Sequence, residues 1–288
     1  MTPERHQRKA ILQMRMACRR PCLADVSPEQ RTIDKALVTG GLAELSSLVG
    51  WRQAIVCPDW DGTMTLVFTI LQRDFVLFAG DRRHTRGEHS ANYRNDCATK
   101  THEIMNGSAL LGFAGHDLCE QIFYRIKDDS ELIKLDLSTF AYRLGDLAQE
   151  AYEREFAGSD KPSVEFLMAG FPEQNGSPTA TTYWLRSPIF SPHRGQFPDR
   201  RFEVIGRSAH GALYAMHRFG NRELSLDQAK RLAGFILAEI YECDTSVGGV
   251  PQIWVLRPGN RGELIEQKKV EELMRWAVKA GRRIEKMF

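Results

Sequence analysis

The sequence lacks long apolar runs and has little imbalance of charge. None of its hydrophobic stretches approaches the roughly 18 residues that are needed to span a bilayer. The basic first twenty residues also lack the apolar stretch that follows the charged start of a secretory signal. The 39 Lys and Arg residues nearly balance the 37 Asp and Glu residues, which leaves a net charge of +2. So small a charge does not by itself indicate a nucleic-acid partner. We therefore expect a cytoplasmic protein that binds neither membrane nor nucleic acid.

Cysteines and cofactor motifs are also scarce. The chain has six cysteines, at positions 18, 22, 57, 97, 119 and 243. None of them forms a Cys-x-x-Cys pair or a Cys/His spacing typical of structural zinc, so reduced thiols are expected. The sequence contains no Gly-rich phosphate loop, and we expect no cofactor and no metal. Its composition, 42% hydrophobic and 26% charged residues, is typical of a soluble globular protein.

Residues 1–64 differ in character from the remainder of the chain. They begin with a basic segment and offer little apolar periodicity from which a core could form. We expect an N-terminal extension that is partly disordered and is either a propeptide or the product of a mis-assigned start. Residues 65–288 then form one domain that ends in a charged helix.

From Thr65 onward, runs of strands alternate with pairs of helices. Thr65–Leu71 and Phe75–Gly80 predict a hairpin of two nearly continuous apolar strands, which is typical of a sheet covered on both faces. We predict further strands over 101–105, 109–114, 164–171, 181–185, 202–205 and 252–256. Helices are predicted over 116–127, 137–156, 208–218, 225–243 and 262–287. This order fits a layered α+β fold better than a parallel βαβ sheet.

Several segments then match, in order and spacing, a family with a distinctive opening hairpin. Thr65 heads the first strand, and Asp81 closes the second strand 16 residues later. Lys100 opens the third strand, an apolar strand ends in Ala114-Gly115, and the segment 247–255 leads through Gly-Gly into another apolar strand. These features resemble the proteasome β-type subunits and their bacterial relatives, which are N-terminal nucleophile (Ntn) hydrolases. The resemblance implies an α+β fold, a four-layer αββα sandwich.

The resemblance also implies an active site. Thr65 would be the nucleophile, Lys100 would lie beside its hydroxyl, Asp81 would orient Lys100, and the backbone N–H of Gly115 would bind the oxyanion. Ser208 and Asp244 would contact the amine of the nucleophile. A threonine hydroxyl needs a base, and an N-terminal threonine supplies one as its own α-amine, whose pKa is about 7.7–8.0. Residues before Thr65 must therefore be absent or removed.

Two places depart from the family pattern or leave alternatives open. The family's Gly-Ser-Gly region appears as Gly206-Arg207-Ser208, so Ser208 serves only if the register shifts by one. Ser246, after Asp244, is likewise one place off. Gly62-Thr63 resembles the junction at which proteasome propeptides are cut, but Thr65 has the family's spacing to Asp81. A start at Met64 with removal of that Met would also expose Thr65.

The resemblance implies a threonine-type peptidase that hydrolyses peptides or unfolded proteins through an acyl-enzyme on Thr65. It further implies a homo-oligomeric ring, with an ATPase as a candidate partner. Two alternatives stay open at this point. One is an Ntn amidohydrolase that acts on small amides, and the other is a catalytically inactive structural subunit of a ring.

Overall fold

The computed structural model describes residues 65–85, 94–158, 161–174, 176–206, 209–244 and 247–285. Residues 1–64, which the sequence predicts to be an N-terminal extension, lie outside the described residues, and so do Ser208 and Ser246. In the part of the chain that is described, no helix has both the length and the apolar character that a membrane crossing requires.

Strands and helices follow the predicted order. The strands are β1 Val67–Leu71, β2 Val76–Gly80, β3 His84–Thr85, β4 Arg94–Asn95, β5 Thr101–Ile104, β6 Ala109–Gly115, β7 Val164–Gly170, β8 Glu173–Gln174, β9 Ser177–Pro178, β10 Thr181–Arg186, β11 His193–Gln196, β12 Phe202–Ile205, β13 Gln252–Leu256 and β14 Glu263–Leu264. The helices are α1 Leu118–Ile126, α2 Leu137–Glu155, α3 Ala209–Ala215, α4 Leu226–Cys243 and α5 Gln267–Glu285. Single turns of 3₁₀ helix lie at Met105–Gly107 and Leu132–Lys134, and a π turn at Met216–Gly220 extends α3.

Two five-stranded antiparallel sheets form the centre of the domain. Sheet I has the order β12-β1-β2-β13-β14, and sheet II has the order β11-β10-β7-β6-β5. The two sheets face each other, with β1 and β2 against β6 and β7. Helices α1 and α2 pack on the outer face of sheet II, and α3, α4 and α5 pack on the outer face of sheet I. The fold is therefore the four-layer αββα sandwich that the sequence predicts.

The layering explains why the opening strands are apolar at consecutive positions. Every residue of β1 and of β2 is buried. Side chains that alternate along a strand point to opposite faces, and here both faces are covered, one by sheet II and the other by helices. Val67, Leu71 and Phe78 belong to the cluster between the sheets. A strand covered on one face only would show alternating polar residues instead.

The helix predicted over 225–243 has Ser225 as its N-cap, in agreement with the prediction. The Ser225 side chain accepts a hydrogen bond from the backbone N–H of Gln228, and the Gln228 side chain accepts one from the backbone N–H of Ser225. This reciprocal pair is a capping box, which satisfies two backbone donors that the helix itself leaves unpaired. The cap fixes the start of α4, which ends at Cys243.

The start of the C-terminal helix differs from the prediction, and the short strands β3, β4, β8, β9, β11 and β14 were not predicted. The C-terminal helix was expected from residue 262, but it begins at Gln267, and Glu263–Leu264 form the edge strand β14 instead. The reason is pairing: Leu264 lies opposite Trp254 of β13, and the Gly262 N–H donates to the Gly107 carbonyl. Strand β11 was not predicted, because its residues, His193–Gln196, are polar or glycine and show no apolar alternation.

The two sheets approach each other closely at Gly112 of β6. A Cβ atom there would lie 2.6 Å from Val67 Cγ1 and 2.7 Å from Phe78 Cε1. We expect Gly112→Ala to destabilise the fold by about 1–3 kcal/mol, because the added methyl overpacks the space between the sheets. The measurement is chemical denaturation of Gly112→Ala, Phe78→Leu and the double variant. Since the Phe78 ring is one of the obstacles, Gly112→Ala should cost at least about 0.5 kcal/mol less in the Phe78→Leu background. Additive effects would contradict this packing.

Candidate active site

Asp81 is the centre of a buried polar cluster at one end of sheet I. It follows β2 directly and is fully buried. Its Oδ1 accepts the backbone N–H of Leu66 at 3.0 Å, and its Oδ2 accepts those of Arg83 at 3.0 Å and Gly248 at 3.4 Å. The Asp81 N–H in turn donates to the Leu66 carbonyl. Asp81 therefore holds the backbone next to Thr65 in place from two directions.

Lys100 joins Asp81 to Thr65. Lys100 precedes β5 in sheet II, and its Nζ lies 3.1 Å from Asp81 Oδ1 and 2.9 Å from Thr65 Oγ1. Nζ also donates to the carbonyl of Arg83. An ammonium group has three N–H donors, and these three acceptors satisfy all of them. Thr65 and Lys100 are 4% and 5% exposed, so the contact is nearly screened from water.

Burial shifts the pKa values of both Asp81 and Lys100. Removal from water raises the pKa of Asp81 to about 6, although the Lys100 charge and the backbone N–H donors oppose the rise. Burial likewise lowers the pKa of Lys100, against the opposing effect of Asp81. When the pair is ionised, the Lys100 cation faces the hydroxyl oxygen of Thr65. A cation in that position favours negative charge on the oxygen.

Arg83 supports the cluster from the far side of Asp81. Its guanidinium is bidentate to Asp96, with Nε 2.6 Å from Oδ1 and Nη2 3.2 Å from Oδ2. Nη1 donates to the Val247 carbonyl at 2.9 Å. The guanidinium lies against Gly248, where a Cβ atom would come within 2.3 Å of Arg83 Cζ. A side chain at 248 would therefore have to displace the Arg83 guanidinium, next to the Gly248 N–H that donates to Asp81.

Two glycine turns lie at the same end of the sandwich. Gly115 ends β6 with φ +100°, and a Cβ there would lie 2.0 Å from the Ser163 carbonyl oxygen. Gly206 follows β12 with φ +97°, and a Cβ there would lie 1.9 Å from the Thr65 carbonyl oxygen and 3.4 Å from Ala114 Cβ. Side chains rarely adopt these φ values, so both turns depend on glycine. Thr65, Gly206 and the end of β6 therefore meet at one place.

The remaining predicted site residues are less fully defined. Asp244 forms the C-cap of α4, and its carbonyl accepts the Val247 N–H at 3.3 Å. The Gly248 N–H, four residues further along the chain, donates to Asp81. Ser208 lies outside the described residues. Lys100 is therefore in direct contact with both Thr65 and Asp81, whereas Gly115 ends β6 and Asp244 follows α4.

Sequence reasoning missed two of the residues that build this end of the fold. Arg83 lies in the charged run Asp81-Arg82-Arg83 just after β2. A charged residue at the end of a strand is expected to point to solvent, so its position gave no sign of a buried role. Glu165 is the one charged residue in the otherwise apolar strand β7, and it is buried. A lone charge within a predicted core strand is the signal that could have identified it.

The described residues include no group of three or more His, Cys, Asp and Glu side chains arranged to hold a metal ion. The polar atoms around Thr65 are instead an ammonium, a carboxylate and backbone groups. This set can activate a hydroxyl and bind an anion, which are the requirements of acyl transfer.

Comparison with known proteins shows the fold. Neither a protein-family model nor a curated protein sequence matches the chain. Solved structures similar to it include two of Anbu. One is Anbu, described as an ancestral β-subunit, from Yersinia bercovieri, with a TM-score of 0.62 and 17% identity. The other is a Gly-1 mutant of Anbu from Hyphomicrobium sp. strain MC1, with a TM-score of 0.60 and 16% identity. Each match covers 78% of this chain and 97% of the other. The fold is that of the proteasome-like Ntn hydrolases.

The raised pKa of Asp81 predicts how stability depends on pH. Between its ordinary value of 3.8 and about 6, the folded chain keeps a proton on Asp81 that the unfolded chain has released. The free energy of unfolding should therefore fall as pH rises through this window. Asp81→Asn cannot titrate there and is the matched control. Relative to it, the native chain should lose up to about 3 kcal/mol between about pH 4 and about pH 6, measured by denaturation at each pH. A relative gain in stability over the same window would contradict the assignment.

Proposed function

We propose that the chain is a threonine-type peptidase of the Ntn class, with Thr65 as its nucleophile once the preceding residues have been removed. The observation that supports the proposal most strongly is the contact of the Lys100 ammonium with both Thr65 Oγ1 and Asp81. A buried lysine and a buried aspartate are uncommon in a core, and each here has a defined partner. The same contact favours Thr65 over Thr63, because it is the Thr65 hydroxyl that Lys100 reaches.

The reaction follows from these groups. The free α-amine of Thr65 takes the proton of the Thr65 hydroxyl while Lys100 stabilises the oxygen as it becomes negative. The oxygen attacks the carbonyl carbon of the substrate, and the backbone N–H of Gly115 donates to the oxyanion that forms. The amine then gives its proton to the leaving nitrogen as the C–N bond breaks. Water, deprotonated by the same amine, releases the acyl group from Thr65.

Asp81 has a supporting part in this scheme. Its carboxylate holds Lys100 and, through the Leu66 N–H, the backbone beside Thr65. Protonation of Asp81 below about pH 6 would remove the charge that pairs with Lys100. In the proposal, Asp244 and Ser208 contact the α-amine of Thr65, an assignment that comes from the sequence resemblance.

The N-terminal residues determine whether the site can work. While Thr65 lies within the chain its nitrogen is an amide and has no useful basicity. Residues 1–64 therefore act as a propeptide in this proposal, or translation starts at Met64 and that Met is removed. The Thr65 carbonyl is already packed against Gly206, so the proposal requires no rearrangement of this backbone after cleavage.

Assembly and substrate are the wider parts of the proposal. One of the similar structures is named as a β-subunit, which supports assembly of this chain with copies of itself into a ring. Peptides or unfolded proteins are the proposed substrates, the cytoplasm the proposed location, and an ATPase a candidate partner. An amidohydrolase for small amides would use the same nucleophile, and comparison of peptide with small-amide substrates separates the two activities.

Substitution of the nucleophile tests the proposal. We expect Thr65→Ala to lower peptide hydrolysis by at least about 10³-fold without loss of the fold, because no other group replaces the attacking oxygen. The matched control is Thr69→Ala, which truncates a buried threonine of β1, four residues after Thr65. The Thr69 hydroxyl has no hydrogen-bond partner among the described residues. Steady-state rates and circular dichroism of the chain processed at Thr65 are the measurements. Hydrolysis that survives Thr65→Ala would refute the assignment, and an inactive parent would favour a structural subunit.

A further inference from the structure

Glu165 is a buried carboxylate that the proposed reaction leaves without a part. It lies in β7 of sheet II, and its side chain is 10% exposed. Its Oε2 accepts the backbone N–H of Gly206 at 3.0 Å. Its Oε1 lies 3.2 Å from Arg186 Nε and accepts the Ser163 hydroxyl at 3.2 Å. The strand is otherwise apolar, so an apolar side chain would be the ordinary occupant of this position.

The bond from Glu165 to Gly206 links the two sheets beside Thr65. Gly206 follows β12 in sheet I and is packed so tightly on the Thr65 carbonyl that it has no room for a side chain. A group that holds the Gly206 backbone therefore also restricts the position of the Thr65 carbonyl, against which Gly206 packs. Lys100 provides a similar link from sheet II, through the Thr65 hydroxyl. Thr65 is thus held from sheet II by two independent polar contacts, one to its side chain and one to its backbone neighbour.

The backbone around Glu165 also sets the position of the Gly115 turn. In the β6–β7 ladder, Glu165 lies opposite Ala114 and Val164 lies opposite Gly115. The His116 N–H donates to the Ser163 carbonyl at 2.9 Å. The same three residues, 163–165, therefore contact both the Gly115 turn and the Gly206 turn. One short segment determines the separation between the proposed oxyanion donor and the proposed nucleophile.

We propose that Glu165 is a positioning residue: by holding the Gly206 N–H across the two sheets, it fixes Thr65 relative to Gly115. The inference rests on the proposed function and adds a residue to it. Attack on a carbonyl requires the reacting atoms within about 3–3.5 Å and aligned, so a shift of about 1 Å costs rate even when every reacting group is present. Glu165 acts through Gly206 and touches neither substrate nor the Thr65 hydroxyl.

The test compares Glu165 with a carboxylate of equal burial. Glu203 in β12 has a side chain that is 12% exposed, and it pairs with Arg200, three residues earlier. Arg200 and Arg186 are 51% and 57% exposed at their side chains, so each carboxylate pairs with an arginine of similar exposure. The variants are Glu165→Ala, Glu165→Gln and Glu203→Ala. Each is made in the full chain with a specific protease site placed before Thr65, which is cut after folding.

We expect Glu165→Ala to lower kcat for a peptide substrate by about 10–100-fold with KM changed by less than about threefold. Glu165→Gln should recover most of the loss, because its amide oxygen can still accept the Gly206 N–H. Glu203→Ala should stay within about twofold of the parent. The proposal is overturned if Glu165→Ala loses no more kcat than Glu203→Ala, or if Glu165→Gln is as impaired as Glu165→Ala.

Hydrogen exchange gives a readout that does not depend on catalysis. In the uncut full chain, Glu165→Ala should speed exchange of the Gly206 amide by at least about tenfold, whereas Glu203→Ala should leave it unchanged. Unchanged Gly206 exchange in Glu165→Ala overturns the link itself. A parent that fails to hydrolyse any peptide after cleavage refutes the proposed function, and it does so whatever the exchange rate of Gly206 is.

Discussion

The amino group of Lys100 lies in the interior among oxygen acceptors from Thr65, Asp81 and Arg83. The neighbouring groups offset the free-energy cost of burying its charge. A buried charge is costly unless it is paired and hydrogen-bonded. Asp81 supplies the opposite charge, and backbone N–H groups from Leu66, Arg83 and Gly248 in turn stabilise Asp81. The remaining acceptor that matters for chemistry is the Thr65 hydroxyl.

The four-layer architecture explains why these groups meet. Thr65 precedes β1 and Asp81 follows β2 in sheet I, whereas Lys100 precedes β5 and Gly115 ends β6 in sheet II. Helices cover the outer faces, so the polar groups at the strand ends meet at one end of the space between the sheets. Burial there raises the pKa of Asp81 to about 6 and lowers the pKa of Lys100. The glycine turns at 115 and 206 allow the backbone to approach as closely as the contacts require.

Much of the fold and part of the candidate site could be predicted from the order of residues in the sequence. The hairpin after Thr65, the capped helix at Ser225 and the spacing from Thr65 to Asp81 are local or periodic features, and local features survive in a sequence. The hydrogen bond from the Gly206 N–H to Glu165 and the packing of the Arg83 guanidinium against Gly248 could not be predicted in the same way. Both join residues that are distant in the chain, and only the packing of the two sheets brings them together. Strand β14 was missed because its pairing with β13 overrides the helical character of the residues that follow.

The central claim is that Thr65 acts as an N-terminal nucleophile, and covalent labelling tests it most directly. The active protein, prepared from its native gene, is treated with a peptide that carries a β-lactone, which acylates an activated hydroxyl. The modified chain is then analysed by intact mass and by sequencing of its N-terminal peptide. The account predicts one acyl group per chain, on a mature N-terminus that begins at Thr65. An active chain that retains residue 64, or an acyl group on any other residue, would contradict it.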